Sequence, residues 1–188
     1  MFYIETQRLK LIPLTHQLLQ SYQADRAFME STLGLQASSM QIDPLYKKEL
    51  QDALAYFWLP QTLEHPDDYH WYTNWEIVLK STNTSIGGIG FIGFPDANGQ
   101  TEVGYMLDEM QQGRGYALEA LQRMLDWAFS DIHTAAVIAR TAETNHSSRK
   151  LLIKAGFAEE GNEEGLLRFR KRRITEAAAL DPEGIAGL

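Results

Sequence analysis

The sequence predicts an α/β fold: one mixed, mainly antiparallel, twisted sheet of about seven strands with helices on both faces. Three observations predict it. Stretches with strand alternation, such as 71–80, are interleaved with stretches whose apolar residues recur at helical spacing, such as 118–128. Between the strand-like runs 85–94 and 101–107 lies only Pro95-Asp96-Ala97-Asn98-Gly99, a hairpin connection that makes them antiparallel neighbours. The runs 101–107 and 135–141 are instead separated by a whole helix, which makes them parallel neighbours.

Taken in order, residues 2–14 read as the first strand, with Ile4, Leu9, Leu11 and Leu14 apolar and Pro13 at its end. Thr15 suits the N-cap of a helix through Leu18, Leu19, Tyr22 and Ala27. Asp43-Pro44 is a second cap with proline at the first helical position, and that helix is expected to pass Leu50, Ala53, Leu54 and Phe57 and stop before Pro60. Trp71, Thr73, Trp75, Ile77 and Leu79 alternate with Tyr72, Asn74, Glu76, Val78 and Lys80 as a strand with two usable faces. Ser81–Thr84 is a turn, and strands follow at 85–94 and 101–107. A helix to about Ser130 comes next, with Leu118, Leu121, Leu125 and Ala128 on one face. Ala135–Thr141 is strand, Ser147–Ala155 helix with Gly156 as its C-cap, and Leu166–Lys171 the last strand. Residues 1–173 are expected to form a single domain, with 174–188 an Ala-rich tail.

The most informative segment is Gln112-Gly113-Arg114-Gly115-Tyr116-Ala117, which leaves a strand and opens a helix. Such a turn aims unpaired backbone N–H groups at one point, where the helix dipole also favours negative charge. Gly113 and Gly115 remove the side chains that would keep a phosphate away, and Arg114 is a further candidate for pairing with it. The segment lacks the Lys-Ser/Thr ending of a nucleoside-triphosphate loop, so metal-assisted phosphoryl transfer is not implied. A second glycine pattern, Gly88-Ile89-Gly90-Phe91-Ile92-Gly93, continues as strand into Pro95 instead of opening a helix. It is therefore read as a bulge or a close approach, not a dinucleotide fingerprint.

Gln112-x-x-Gly115-x-Ala117 resembles the coenzyme A pyrophosphate motif of the GNAT superfamily of acetyltransferases. The chain is similar to the branch that acetylates the N-termini of ribosomal proteins (RimJ/RimL-like) over roughly residues 3–173, weakly at 31–70. Glu5-Thr6-Gln7-Arg8-Leu9-Lys10-Leu11-Ile12-Pro13-Leu14, Ile86–Phe91, Glu102-Val103-Gly104-Tyr105, Asn145–Ser148 and Gly156-Phe157 occur in the family's order. The resemblance implies acetyl transfer from acetyl-CoA to a primary amine, by direct attack in a ternary complex and without a metal. It also implies that the strands at 101–107 and 135–141 splay apart, so that backbone of Val103, Tyr105 and Leu107 meets the pantetheine arm. Gln112–Ala117 would then hold the pyrophosphate and Asn145 the arm, while backbone N–H groups of 103–107 would serve as oxyanion site. Many members carry a general-acid tyrosine where this chain has Leu152, which moves the expected donor to Ser148. Ser148 and Asn145 are equally residues that cap a helix. Glu102 and Glu160 are candidates for the proton acceptor, with Glu76 a third; each also reads as an ordinary polar position.

Composition narrows the field from outside. A chain of 188 residues with 44% hydrophobic residues can bury a substantial core, and no apolar run approaches the ~18–20 residues of a membrane helix. No signal-peptide pattern is present at residue 1, so the cytoplasm is the expected location, and no membrane partner is expected. With zero cysteines the chain makes no disulfide and no cysteine acyl intermediate, and its five histidines lack metal-ligand spacing. A net charge of −8 disfavours nucleic acid and suits a cationic acceptor, a peptide N-terminus or small amine. The Arg168, Arg170 and Arg172 row is read as a solvated strand face, and the aromatics at 56–75 as partly core and partly acceptor-pocket wall. A monomer or homodimer fits equally. The alternative reading is a GNAT-fold module that binds acyl-CoA for sensing or regulation with little transferase activity.

Overall fold

The computed structural model describes residues 1–174; the tail expected at 174–188 lies, from residue 175 on, outside them. Eight strands form one sheet in the order β1-β2-β3-β4-β5-β6-β8-β7. They are β1 (Ile4–Glu5), β2 (Leu9–Pro13), β3 (Trp75–Leu79), β4 (Thr84–Phe91), β5 (Gln100–Leu107), β6 (Ala136–Ala142), β7 (Ala158–Glu163) and β8 (Leu166–Arg172). All neighbours are antiparallel except β5 and β6, as their connections dictate.

Helices cover both faces. On one lie α5 (Tyr116–Ser130) and α6 (His146–Lys154), whose Leu121, Met124, Leu125 and Leu152 join Leu9, Leu11, Trp75, Ile77, Ile89, Val103 and Phe169 in the main core. The other carries α1 (His16–Ala24), α2 (Arg26–Thr32), α3 (Pro44–Ala53) and α4 (Leu59–Glu64), with a smaller core of Leu14, Leu18, Leu19, Met29 and Leu54. β3 displays both environments: Trp75, Ile77 and Leu79 pack under α5, whereas the Glu76 carboxylate meets Arg26 of α2.

Four boundaries differ from those the sequence suggests. The first strand is two, because Thr6 closes a tight turn: its N–H donates to Leu9 O at 2.9 Å and its hydroxyl accepts from Leu9 N–H at 2.9 Å. The helix expected through Ala27 breaks at Asp25, whose extended backbone ends α1 while its carboxylate caps α2 at Ala27 N–H. The helix from Pro44 does not stop at Pro60. A π-helical turn, Leu54–Trp58, intervenes, and Pro60 follows it in the first turn of α4. Residues 69–71 form a 3₁₀ turn, so strand structure begins at Trp75 and not at 71. β7 had no apolar alternation to announce it: every residue of Ala158–Glu163 is exposed, and it is an edge strand held by pairing with β8.

Candidate active site

β5 and β6 pair only through Gln100↔Ala136, Thr101↔Val137 and Glu102↔Ile138. Beyond that point β5 continues along β4 as far as Leu107, while β6 continues along β8 as far as Ala142. Following different partners, the two parallel strands diverge and leave a cleft with its apex at Glu102. The direction of the β5 backbone follows from its pairing with β4. Ile92 N–H donates to Glu102 O, and Asp108 N–H donates to Ile86 O. Antiparallel alternation between these two points turns the amides of Glu102, Gly104 and Met106 toward β4. Those of Val103, Tyr105 and Leu107 therefore face the cleft. The family resemblance implies the same three positions for the pantetheine arm.

At the wide end of the cleft lies the glycine-rich turn. Gly113 (φ 75°) and Gly115 (φ 81°) both occupy the left-handed region, where a side chain is strained. A Cβ on Gly113 would meet nothing within 4 Å, and one on Gly115 only the Arg8 Nη2 at 3.5 Å, so the turn borders open space. Gly115 is the N-cap of α5, and the first helical bond is Glu119 N–H to Gly115 O at 3.1 Å. The N–H groups of Tyr116, Ala117 and Leu118 thus precede any intrahelical acceptor. Gln112 and Arg114 are exposed beside them.

Arg8, from the connection between β1 and β2, reaches this turn with its side chain. The Thr6 turn carries it to the start of α5, where its Nη1 donates to Arg114 O at 3.1 Å and its guanidinium stacks over Tyr116 at 4.5 Å. Glu119 grips it, with Arg8 Nη2 to Oε2 at 2.6 Å, and also accepts from Thr6 at 2.5 Å. Burial pushes the Glu119 carboxyl up, but hydrogen bonds from Thr6 and Arg8 outweigh it and hold the group below the usual carboxylate range. Its negative charge beside the turn is thereby neutralised and a guanidinium is fixed there.

The N-terminus of α6 faces the cleft from the β6 side. Asn145 is the N-cap, its Oδ1 accepting from Ser148 N–H at 3.0 Å, while its Nδ2 donates to the Tyr46 hydroxyl of α3 at 3.1 Å. The Ser148 hydroxyl lies 2.8 Å from the Tyr105 hydroxyl of β5. Burial pushes the Tyr105 phenol up, the Ser148 hydrogen bond opposing it only in part. Leu152 is fully buried in the core one turn further on.

The three glutamates have separate fates. Glu102 sits at the apex, on the face opposite α5, in an ion pair with Arg140; burial raises its pKa despite the guanidinia of Arg140 and Arg168. It lines an open cavity of about 470 Å³ together with Phe94, Ile138, Arg140, Glu163 and Arg168. Glu160 lies in the β7 bulge and is engaged by Arg168 and, at 3.1 Å, by Arg170 Nε. Glu76 is 1% exposed and is taken by Arg26 at 2.6 Å, Asn74 at 2.8 Å and Ser85. Of the aromatics at 56–75, Trp71 and Trp75 pack with Phe91 and Trp127 in the main core, Trp58 packs against the smaller one, and Tyr56 is exposed.

A cleft between splayed parallel strands, with a glycine-rich helix start at its mouth, defines an acyl-transferase class of fold and site. The chain belongs to the family described as acetyltransferase (GNAT) domain, which matches residues 8–158. An uncharacterized N-acetyltransferase of Bacillus subtilis, YjdG, is 31% identical over 162 residues, 84% of this chain and 90% of that protein. Two solved structures share the fold. The ribosomal-protein-S5-alanine acetyltransferase of Vibrio fischeri has a TM-score of 0.63 at 18% identity, covering 92% of this chain and 97% of that one. RimL, a ribosomal L7/L12 α-N-protein acetyltransferase solved in complex with coenzyme A, has a TM-score of 0.61 at 17% identity, covering 91% and 98%. The protein is an acetyl-CoA-dependent N-acetyltransferase of this family. No described helix is long and apolar enough to cross a membrane.

Proposed function

We propose that the protein moves an acetyl group from acetyl-CoA to the amine of a peptide N-terminus or a small cationic molecule, by direct attack. One observation carries this reading: the β5–β6 pairing ends at Glu102, and from there the cleft-facing amides of Val103, Tyr105 and Leu107 run toward the Gly113–Gly115 turn. Those features fit acetyl-CoA as substrate, since the turn has space where a Cβ would otherwise stand. Under this reading Gly113, Arg114, Gly115, Tyr116 and Ala117 receive the pyrophosphate with their N–H groups, Gln112 stands beside them with its own N–H turned to Glu109 O, and Arg8 adds a fixed guanidinium. Val103, Tyr105 and Leu107 bond the amides of the pantetheine arm, with Asn145 opposite. The carbonyl to be attacked then comes to rest near the β5 amides at the apex, where N–H groups stabilise the developing oxyanion.

An ammonium is not nucleophilic, so a proton must leave first. Glu102 is the base we favour, being at the apex and in a cavity open to an acceptor. Glu160 is committed to two arginines on β8 and Glu76 is sealed beneath α2. As the amine nitrogen bonds to the carbonyl carbon, the carbon–sulfur bond breaks and its electron pair stays on sulfur. Ser148 donates a hydrogen bond to that sulfur. Much of the acceleration comes from holding both substrates in place.

The test is ligand-induced stabilisation. Coenzyme A at a hundredfold excess over its Kd should raise the Tm by about 5–10 °C, and pantetheine, lacking the pyrophosphate, by far less. Equal shifts from the two ligands would remove the turn from the binding site. Thiol release with an amine panel then identifies the acceptor, and binding without release for any amine would leave a regulatory module.

A further inference from the structure

We propose that Tyr105 is a positioning residue for the leaving sulfur, acting through Ser148; this rests on Ser148 being the group that faces the sulfur. The Tyr105 ring leaves β5 on the α5 side and packs against the main core, and its hydroxyl crosses the cleft to α6. It ends 2.8 Å from Ser148 Oγ, linking the two strands' sides of the cleft across 43 residues of sequence. The position one turn beyond Ser148 offers no hydroxyl, because Leu152 is buried there.

Either hydroxyl can donate in this pair; in the proposal Tyr105, a phenol and so the far stronger acid, donates and Ser148 accepts. The backbone N–H of Ser148 is already taken by the Asn145 cap, which fixes the first turn of α6 and with it the serine Cβ. Accepting from Tyr105 leaves the single Ser148 proton free to turn into the cleft, toward sulfur. A hydroxyl that accepts one hydrogen bond is a better donor in the next, since linked hydrogen bonds polarise one another. Burial keeps the phenol protonated, so it remains a donor throughout the neutral range. No proton need leave Tyr105: the electron pair of the broken carbon–sulfur bond is held by the Ser148 hydrogen bond, and the proton that completes the thiol balances the one lost by the amine.

The experiment is a double-mutant cycle of Tyr105→Phe and Ser148→Ala, read as kcat and KM for acetyl-CoA, with Tm as control. Tyr105→Phe keeps the ring in the core and should lower kcat about three- to tenfold with KM little changed, the worth of one hydrogen bond. In the Ser148→Ala background the same substitution should do nothing more. Ser148→Thr, which keeps a hydroxyl, should regain sensitivity to Tyr105→Phe. Full additivity of the two losses would overturn the proposal, because Tyr105 would then act independently of Ser148. Unchanged kcat in Tyr105→Phe would overturn it as well while leaving Ser148 in its role. A Ser148→Ala enzyme with full kcat would instead remove Ser148 from the mechanism, and Tyr105 with it.

Discussion

Two networks of carboxylates and arginines lie on the same face of the sheet, and they differ in what covers them. On the β3–β4 side, Glu76 and Glu30, each 1% exposed, share Arg26 beneath α1 and α2. On the β5–β8 side, Glu102, Arg140, Glu163, Arg168 and Glu160 form a ladder of ion pairs, and among the described residues no helix lies over it. The residue types are alike. A carboxylate in the first network cannot be reached by a substrate, and its oxygens are satisfied inside the protein by the Arg26 guanidinium and by the hydroxyl of Ser85 or Ser38. In the second, a carboxylate borders a cavity and can exchange a proton with what enters. Accessibility, and not the presence of glutamate, separates structural from chemical carboxylates.

Removing the only arginine of the covered network should have the largest effect. Arg26→Met strands two buried carboxylates and is expected to cost about 3–5 kcal/mol of stability, measured by denaturant unfolding, while kcat of the folded fraction stays near wild type. A mild loss would mean the two networks are not different in kind. Next, Glu102→Gln should lower kcat/KM about a hundredfold, most severely at low pH where free amine is scarce, with a stability change below about 1 kcal/mol. Full turnover at every pH would leave water as the base. Glu160→Gln, in the same open ladder but on β7, should leave turnover intact and change stability by less than about 1 kcal/mol; a Glu102-like loss would move the base to β7.

Two pH effects of opposite sign sharpen the contrast further. Because burial raises the Glu102 carboxyl, its ionisation opposes folding. That cost is absent below the ordinary carboxylate range and grows as pH rises from there through the raised pKa of Glu102. Glu119, held low by Thr6 and Arg8, stabilises the fold above the ordinary range, and this contribution is lost as pH falls through its lowered pKa. Glu119→Gln should therefore flatten the acid side of a Tm-versus-pH curve, and Glu102→Gln should not.

The sequence by itself determined the α/β class, the parallel relation of β5 and β6, and the glycine turn that opens α5. These are local facts, written in alternation, helical spacing and residues that tolerate positive φ. Val103, Tyr105 and Leu107 were expected at the cleft from the family resemblance, and their parity is fixed by the pairing of β5 with β4. Only the tertiary structure decided which glutamate is sealed and which is open, because burial depends on what packs above a strand. Only it brought Arg8 to Glu119, 111 residues away, and Tyr105 to Ser148, 43 away. β7 likewise exists because β8 pairs with it, not because Ala158–Glu163 favours a strand. Such contacts carry no period in the chain; they arise when turns and crossovers fold distant segments onto one another.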